Sequence, residues 1–339
     1  REIGIQPDIL LCRTEKSLPK EMKKKIALFC NVDVDSVITA QDVSSIYQVP
    51  LALNKEGLGN IILNKLGLKT SPPDLTGWKD VIQKISKPKN EVHIALVGKY
   101  IDLKESYKSL VEALHHGGIG NDAKVNIHWV DAEDLERDGG LDQLKECDGI
   151  LVPGGFGDRG MEGKINAVGH ARINKIPFLG ICLGMHCATI EFARSVAGLK
   201  RANSSEIAPK APYLVIDILP DQDSKNDIGG TMRLGEYPCQ LRRKSFAHKA
   251  YGKTEVYERH RHRYEFNNKY RMHLEDAGLK ISGLSPNGNL VEIIEIEDHP
   301  WFLAGQFHPE FKSSPMKPHP LFRDFIAASL SQCRPNKNS

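Results

Sequence analysis

The 339-residue sequence predicts an α/β fold built on a doubly wound, mostly parallel sheet, preceded by a shorter α/β stretch. Three observations carry that reading. From residue 92 onward, apolar runs of strand length (92–97, 125–130, 149–152 and 177–181) alternate with helical patterns (105–116, 132–145, 161–174 and 184–195). That is the order a parallel sheet with crossover helices requires. The first stretch repeats the alternation on a smaller scale. Length and composition, with 40% hydrophobic and 26% charged residues, suit a globular chain with a sizeable core and, at roughly 150 residues per domain, two unequal domains.

The apolar runs at 9–12 and 37–39 read as strands, and residues 20–30 and 57–66 as helices, giving βα units at the tail of an α/β domain. The chain opens at Arg1 rather than methionine and runs at once into Pro7-Asp8-Ile9-Leu10-Leu11-Cys12, which reads as a buried strand. The sequence is therefore expected to begin inside a domain. At Ser86-Lys87-Pro88-Lys89-Asn90 it turns polar around a proline, and the strand at 92–97 follows directly. The expected division is residues 1–85, a linker at 86–91, a second domain at 92–333 and a polar tail at 334–339. After Gly198 the pattern loosens: a loop at 221–227 leads to Gly229-Gly230-Thr231-Met232-Arg233-Leu234, and strand-like runs follow at 281–284, 290–296 and 301–307.

Composition narrows function by exclusion. The formal charge of +3 is the difference between 46 basic and 43 acidic side chains, too balanced for a nucleic-acid or membrane surface, so small charged metabolites fit better. The seven cysteines are scattered and lack CxxC spacing, which argues against a disulfide framework and a zinc site and suits a reducing cytoplasm. The most apolar stretch, at 177–190, is shorter than a membrane span and contains His186.

Three segments carry chemistry. In Gly180-Ile181-Cys182-Leu183-Gly184 an apolar strand meets a helix at a sharp turn, the thiol version of a nucleophile elbow, where side chains in place of the glycines would collide with the turn. The following helix N-terminus and a nearby imidazole favour the reactive thiolate. In Ile150-Leu151-Val152-Pro153-Gly154-Gly155-Phe156-Gly157 a strand ends in a loop of bare backbone; the amides near Gly155 and Leu183 together would form an oxyanion hole. In Trp301-Phe302-Leu303-Ala304-Gly305-Gln306-Phe307-His308-Pro309-Glu310 a strand delivers His308 with a carboxylate two residues later. On extended backbone residues two apart share a side, so Glu310 would orient the His308 imidazole.

Together these segments resemble the class I (triad) glutamine amidotransferases, a flavodoxin-like fold, over about residues 92–333. The resemblance implies thioester chemistry, with Cys182 attacking the glutamine carboxamide and His308 protonating the departing ammonia and then activating water. Four further segments narrow the family: Gly154-Gly155-Phe156-Gly157-Asp158-Arg159-Gly160, Ala202-Asn203-Ser204-Ser205-Glu206, Gly229 through Arg233 to Gly235, and Glu258-Arg259-His260-Arg261-His262-Arg263-Tyr264. All four look like the CTP synthase family, in the same order. Ile3-Gly4-Ile5-Gln6-Pro7-Asp8, the run from Lys25 to Cys30, and Ser45-Ile46-Tyr47 look like the end of that family's P-loop-type amidoligase domain.

Carried over residue by residue, the resemblance implies that Gly155, Leu183, Glu206 and Arg263 bind glutamine. Arg263 is a rigid cation suited to the α-carboxylate, and Glu206 an acceptor suited to the α-ammonium. Arg159 matches the lid at which GTP acts, and Lys25 a lysine that contacts the pyrimidine nucleotide. UTP, CTP, ATP with Mg2+, GTP as allosteric activator, and a cytoplasmic homotetramer are implied for the whole enzyme. No metal is expected at His260 and His262, because the interleaved arginines disfavour a cation.

Where the family has glutamine four positions after the nucleophile, this chain has His186. That position helps to hold the substrate, and an imidazole cannot reproduce an amide's paired donor and acceptor. Helix-terminal neutralisation would leave His186 uncharged with one hydrogen bond to donate, and a raised KM for glutamine is expected. The phosphate-binding glycine loop with its lysine and the magnesium carboxylates are absent from this sequence and expected upstream of Arg1. The chain by itself would then hydrolyse glutamine without making CTP. Two alternatives stand beside this reading: another class I amidotransferase, serving GMP or anthranilate synthesis, and a non-catalytic nucleotide-binding or assembly module.

Overall fold

The computed structural model describes residues 3–99, 104–218 and 232–332, and the chain divides into two compact units, Arg1–Lys87 and Pro88–Ser339. The expected loop at 221–227, Gly229 to Thr231, Cys333 and the tail lie outside the described residues.

In the first unit, β1 (Leu10–Thr14) and β2 (Val37–Gln41) pair in parallel with Leu10 opposite Val37, and α1 (Lys20–Cys30) connects them. Helix α1 stops at Asn31, which takes the left-handed φ of 53° and returns its N–H to the last turn. Helices α2 (Val49–Lys55), α3 (Leu58–Leu66) and α4 (Thr76–Ser86) follow. The expected buried strand at 7–12 needs correction. Strand β1 alternates half-buried and exposed positions, and Leu11 is 55% exposed, because among the described residues β2 alone pairs with it.

The second unit runs β3 (Asn90–Gly98), α5 (Lys108–Gly120), β4 (Ala123–Asp131), β5 (Gly149–Val152), α6 (Met161–Ile173), β6 (Phe178–Ile181) and α7 (Leu183–Ser195). Then come β7 (Ala202–Ser204), β8 (Tyr213–Ile218), β9 (Arg233–Leu241), α8 (Phe246–Tyr251), β10 (Glu255–His262), β11 (Tyr264–Phe266) and α9 (Arg271–Asp276). It closes with β12 (Lys280–Leu284), β13 (Val291–Glu295), β14 (Phe302–Gly305) and α10 (Pro320–Gln332). Strands β14, β6, β5, β3 and β4 lie side by side in parallel, and β13, β12, β9 and β10 extend that sheet antiparallel beyond β14. A small sheet of β11, β8 and β7 stands apart.

Strand residues alternate between two cores. Ala95, Val97, Ile150 and Val152 join the core that contains α6 and α7, whereas Ile94, Leu96, Leu151 and Leu179 join the one that contains α5 and α10. Helices cover both faces, as a doubly wound sheet requires. The helix expected at 132–145 does not form. Two 3-10 turns, Asp134–Glu136 and Gly140–Leu144, replace it, split where Gly139 adopts φ 78°. Each glycine costs a helix about 1 kcal/mol relative to alanine, and a left-handed residue cannot continue a right-handed helix.

Candidate active site

Cys182 sits between β6 and α7 at φ 52° and ψ −104°, a region that side-chain-bearing residues rarely occupy and that costs about 1–3 kcal/mol. The neighbours hold it there. Its N–H donates to Gly305 O at 2.7 Å, and its carbonyl accepts from Met185 N–H at 2.9 Å and His186 N–H at 3.3 Å in the first turn of α7. The elbow is tight because β5 and α7 touch: a Cβ on Gly184 would stand 2.1 Å from the Val152 carbonyl oxygen. The sulfur is thus buried at the N-terminus of a 13-residue helix.

His308 follows β14 and is anchored by its N–H, which donates to Arg259 O on β10 at 2.7 Å. Its Nδ1 lies 2.8 Å from Glu310 Oε1. The pair forms, but not on extended backbone. Pro309 starts a 3-10 turn, Pro309–Lys312, and that turn brings the Glu310 carboxylate to Nδ1 of the ring. Burial alone would lower the His308 pKa; the hydrogen bonds and charges of Cys182 and Glu310 outweigh it and raise the value to about 10. An imidazole so shifted is a cation at neutral pH, held between the Cys182 sulfur and the Glu310 carboxylate.

The loop after β5 closes the opposite side. A Cβ on Gly154 would meet His308 Cε1 at 2.8 Å and Cys182 Cβ at 3.5 Å, so only a bare backbone fits beside the pair. At Gly155 the same construction reaches Leu183 Cδ2 at 3.4 Å, which places the two expected oxyanion residues together. Lys99 donates from Nζ to Phe156 O, Arg159 donates to Lys99 O, and Arg159 also pairs with Glu133. Glu206 Oε1 accepts from Gly157 N–H at 2.9 Å, tying the turn after β7 to this loop.

Glu206 and Arg263 act on the Tyr264 side chain, and His186 meets the Tyr264 backbone. Burial and the Glu206 carboxylate raise the Tyr264 pKa, with the Arg263 cation opposing. The His186 ring is buried, with Nε2 3.0 Å from Gln306 Oε1. Its pKa falls to about 4, and burial, rather than the helix terminus, is the main cause. Lys25 is exposed on α1 in the first unit.

Behind His308 lies a buried polar layer that includes His260 and His262. Strand β10 alternates exposed and buried residues, so Arg259 and Arg261 face solvent while Glu258, His260 and His262 turn inward. His260 Nδ1 and His262 Nε2 are 2.9 Å apart, and Arg233 bridges Glu265 at 3.2 Å and Glu292 at 2.9 Å. Burial first, then Arg233 and His308, push the His260 pKa down to about 3. Among the described residues no group of three or more His, Cys, Asp or Glu could hold a metal ion. Gly154, Gln306 and this layer are what sequence reasoning missed; the Arg-His-Arg-His alternation was the available signal for the last.

A sharp strand-to-helix cysteine, a charged histidine on a carboxylate and a bare glycine loop at adjoining strand ends define a class I glutamine amidotransferase, and residues 102–328 match that family, glutamine amidotransferase class-I. Residues 1–68 match the CTP synthase N-terminus. A CTP synthase of Syntrophus aciditrophicus is 59% identical over 330 residues, 97% of this chain and 61% of its own length. One of Carboxydothermus hydrogenoformans is 58% identical over 97% of this chain and 62% of its own. The solved glutaminase domain of Trypanosoma brucei CTPS with bound acivicin is 40% identical, with a TM-score of 0.68, covering 72% of this chain and 95% of that one. The chain belongs to the CTP synthase family and spans about three fifths of the length of the curated relatives it matches.

Proposed function

We propose that this chain hydrolyses L-glutamine at Cys182 and, as part of a longer protein, supplies the ammonia for ATP-dependent amination of UTP to CTP. The observation that supports the first step most is Cys182 on its left-handed elbow, in contact with the His308–Glu310 pair. The sulfur attacks the carboxamide carbon, and the oxyanion meets the amides near Gly155 and Leu183. The His308 proton passes to the departing nitrogen, the C–N bond breaks, and ammonia leaves a thioester. His308 then takes a proton from water, whose oxygen attacks the thioester; the C–S bond breaks, glutamate leaves with its acid proton passing to the ammonia, and the sulfur is again an anion beside protonated His308. Arg263 would take the α-carboxylate and Glu206 the α-ammonium, Glu206 keeping acceptor sites beyond the one that Gly157 N–H uses.

His186, in place of an amide, raises KM for glutamine in this reading. Lys25 contacts the pyrimidine nucleotide, and Arg159 the activating GTP. The residues present do not fit ATP with Mg2+, since the sequence holds no phosphate-binding glycine loop with its lysine, and no step here runs through it. A cytoplasmic homotetramer completes the proposal; no helix among the described residues is long and apolar enough to cross a membrane.

Glutamate release from glutamine, compared between the chain and Cys182→Ala, tests the first step: equal rates would exclude it. His186→Gln is expected to lower KM, and an unchanged KM removes His186 from substrate binding.

A further inference from the structure

Gln306 lies between β14 and His308, fully buried, and the reaction described above gives it no task. Its backbone N–H donates to Glu292 O at 2.9 Å, and its side chain stands between two groups that the elbow presents. Oε1 is 3.0 Å from His186 Nε2, and Nε2 is 3.9 Å from Cys182 Sγ, with the amide N–H directed at the sulfur. A carboxamide can be turned end for end at little steric cost, so the surroundings must decide which end meets the sulfur.

His186 supplies that decision. Its ring is neutral, because burial holds its pKa to about 4, and a neutral imidazole carries a single N–H. Two groups favour a proton on the ring, the Gln306 carboxamide and, more weakly, the Tyr264 backbone; Nδ1 makes no hydrogen bond of good geometry, so the proton belongs on Nε2, where Oε1 of Gln306 accepts it. With its oxygen so occupied, the amide must offer its NH2 to the sulfur. Turned the other way, a carbonyl oxygen would face the sulfur lone pairs and two acceptors would oppose each other.

We infer that Gln306 is a further group acting on the Cys182 sulfur, donating a side-chain N–H to it, and that His186 is the positioning residue that fixes this amide end for end. The donor acts when the sulfur carries negative charge: before attack on the carboxamide, and again when the thioester breaks down. The inference rests on Cys182 being the nucleophile, and it assigns His186 a second task beside the substrate.

Alkylation of Cys182 by iodoacetamide, followed by mass spectrometry of its peptide across the pH range, tests this without glutamine turnover. Gln306→Leu is expected to slow alkylation at neutral pH about tenfold and to move the pH profile upward, the scale of losing a hydrogen bond to a charged group. His186→Leu should do about the same, and the double variant no more than either, since both remove one donor. His186→Gln, whose amide N–H reaches the same oxygen, should keep the rate within about threefold. An unmoved profile in Gln306→Leu overturns the inference, and effects that multiply in the double variant detach His186 from it. Should Gln306→Leu fail to fold, the nearly isosteric Gln306→Glu, which puts an anion against the sulfur, carries the same expectation. A chain that passes this test yet releases no glutamate sinks the glutaminase reading alone; release with an unmoved profile sinks only the inference.

Discussion

The half-buried His308 and the buried His186, His260 and His262 belong to the same unit, yet their pKa values are shifted in opposite directions. His308 is raised to about 10 in spite of burial, whereas His186 falls to about 4 and His260 to about 3. The difference lies in the partners. His308 faces the Cys182 sulfur and a carboxylate; His186 faces a neutral amide; His260 faces the cations of Arg233 and His308, and the carboxyls nearest His260 and His262, Glu292 at 3.7 Å and Glu265 at 3.5 Å, are themselves pushed toward their neutral forms by burial. Burial penalises every imidazolium, and a nearby anion alone reverses the sign. A charged imidazole therefore stands where a proton must be delivered, and neutral ones stand where a hydrogen bond must keep its direction.

The charged side breaks most completely at its centre. His308→Gln keeps the ring's volume in part but holds no transferable proton, and glutamate release should fall about a thousandfold, equivalent to about 4 kcal/mol of barrier. A loss under tenfold would mean that another group delivers the proton. On the neutral side the largest effect is on stability. Arg233→Met leaves Glu265 and Glu292 buried without their cation and should cost about 3 kcal/mol of unfolding free energy. Burial already raises Glu265 to about 8 and also raises Glu292, so the carboxyls escape part of the cost by taking protons. The loss should thus be smallest in acid and grow as pH rises toward and past 8, where Glu265 of the parent ionises beside Arg233 and that of the variant cannot; a pH-independent loss in denaturant melts would show that only packing was removed.

His186 gives a smaller effect with a definite sign. Its folded-state pKa of about 4 lies below the ordinary imidazole value, so its contribution is present above pH about 6.5 and is lost as pH falls toward 4. At pH 4.5 the neutral ring should cost about 2 kcal/mol relative to pH 7, and His186→Gln should lose that much less stability on acidification. Glu265 acts with the opposite sign over pH 4.5 to 8, because its raised carboxyl keeps a proton that the unfolded chain has released. The difference between parent and variant isolates the histidine, and parallel acid curves would show that His186 is not held neutral.

The two sides also differ in how far the sequence disclosed them. The elbow, the glycine loop and His308 with Glu310 were legible because each is a short run whose chemistry depends on residues adjacent in the chain. The parallel core was legible for the same reason, as local alternation of apolar runs. His186 stood out as an unusual residue, but its partner Gln306 is 120 positions away, and only the pairing of β14 with β6 brings them together. Glu265, Glu292 and Arg233 are likewise gathered from three strands. Even for the expected pair the local geometry differs, since Pro309 starts a turn that brings Glu310 to Nδ1 where an extended backbone was expected.

Glu310 offers the finest division between the two sides, because it separates orientation from charge. Glu310→Gln keeps a hydrogen-bond acceptor near Nδ1 but removes the anion, and glutamate release at neutral pH should fall about tenfold. The parent should hold its activity into alkaline solution and lose it as His308 gives up its proton near pH 10. In the variant that alkaline limb should move down, stopping between 6.5 and 10 because Cys182 still contributes to holding the proton. A tenfold loss with the limb left near 10 would assign the charge to Cys182 alone and leave Glu310 to orient the ring. A limb near 6.5 would make Glu310 the group that separates His308 from the neutral histidines behind it.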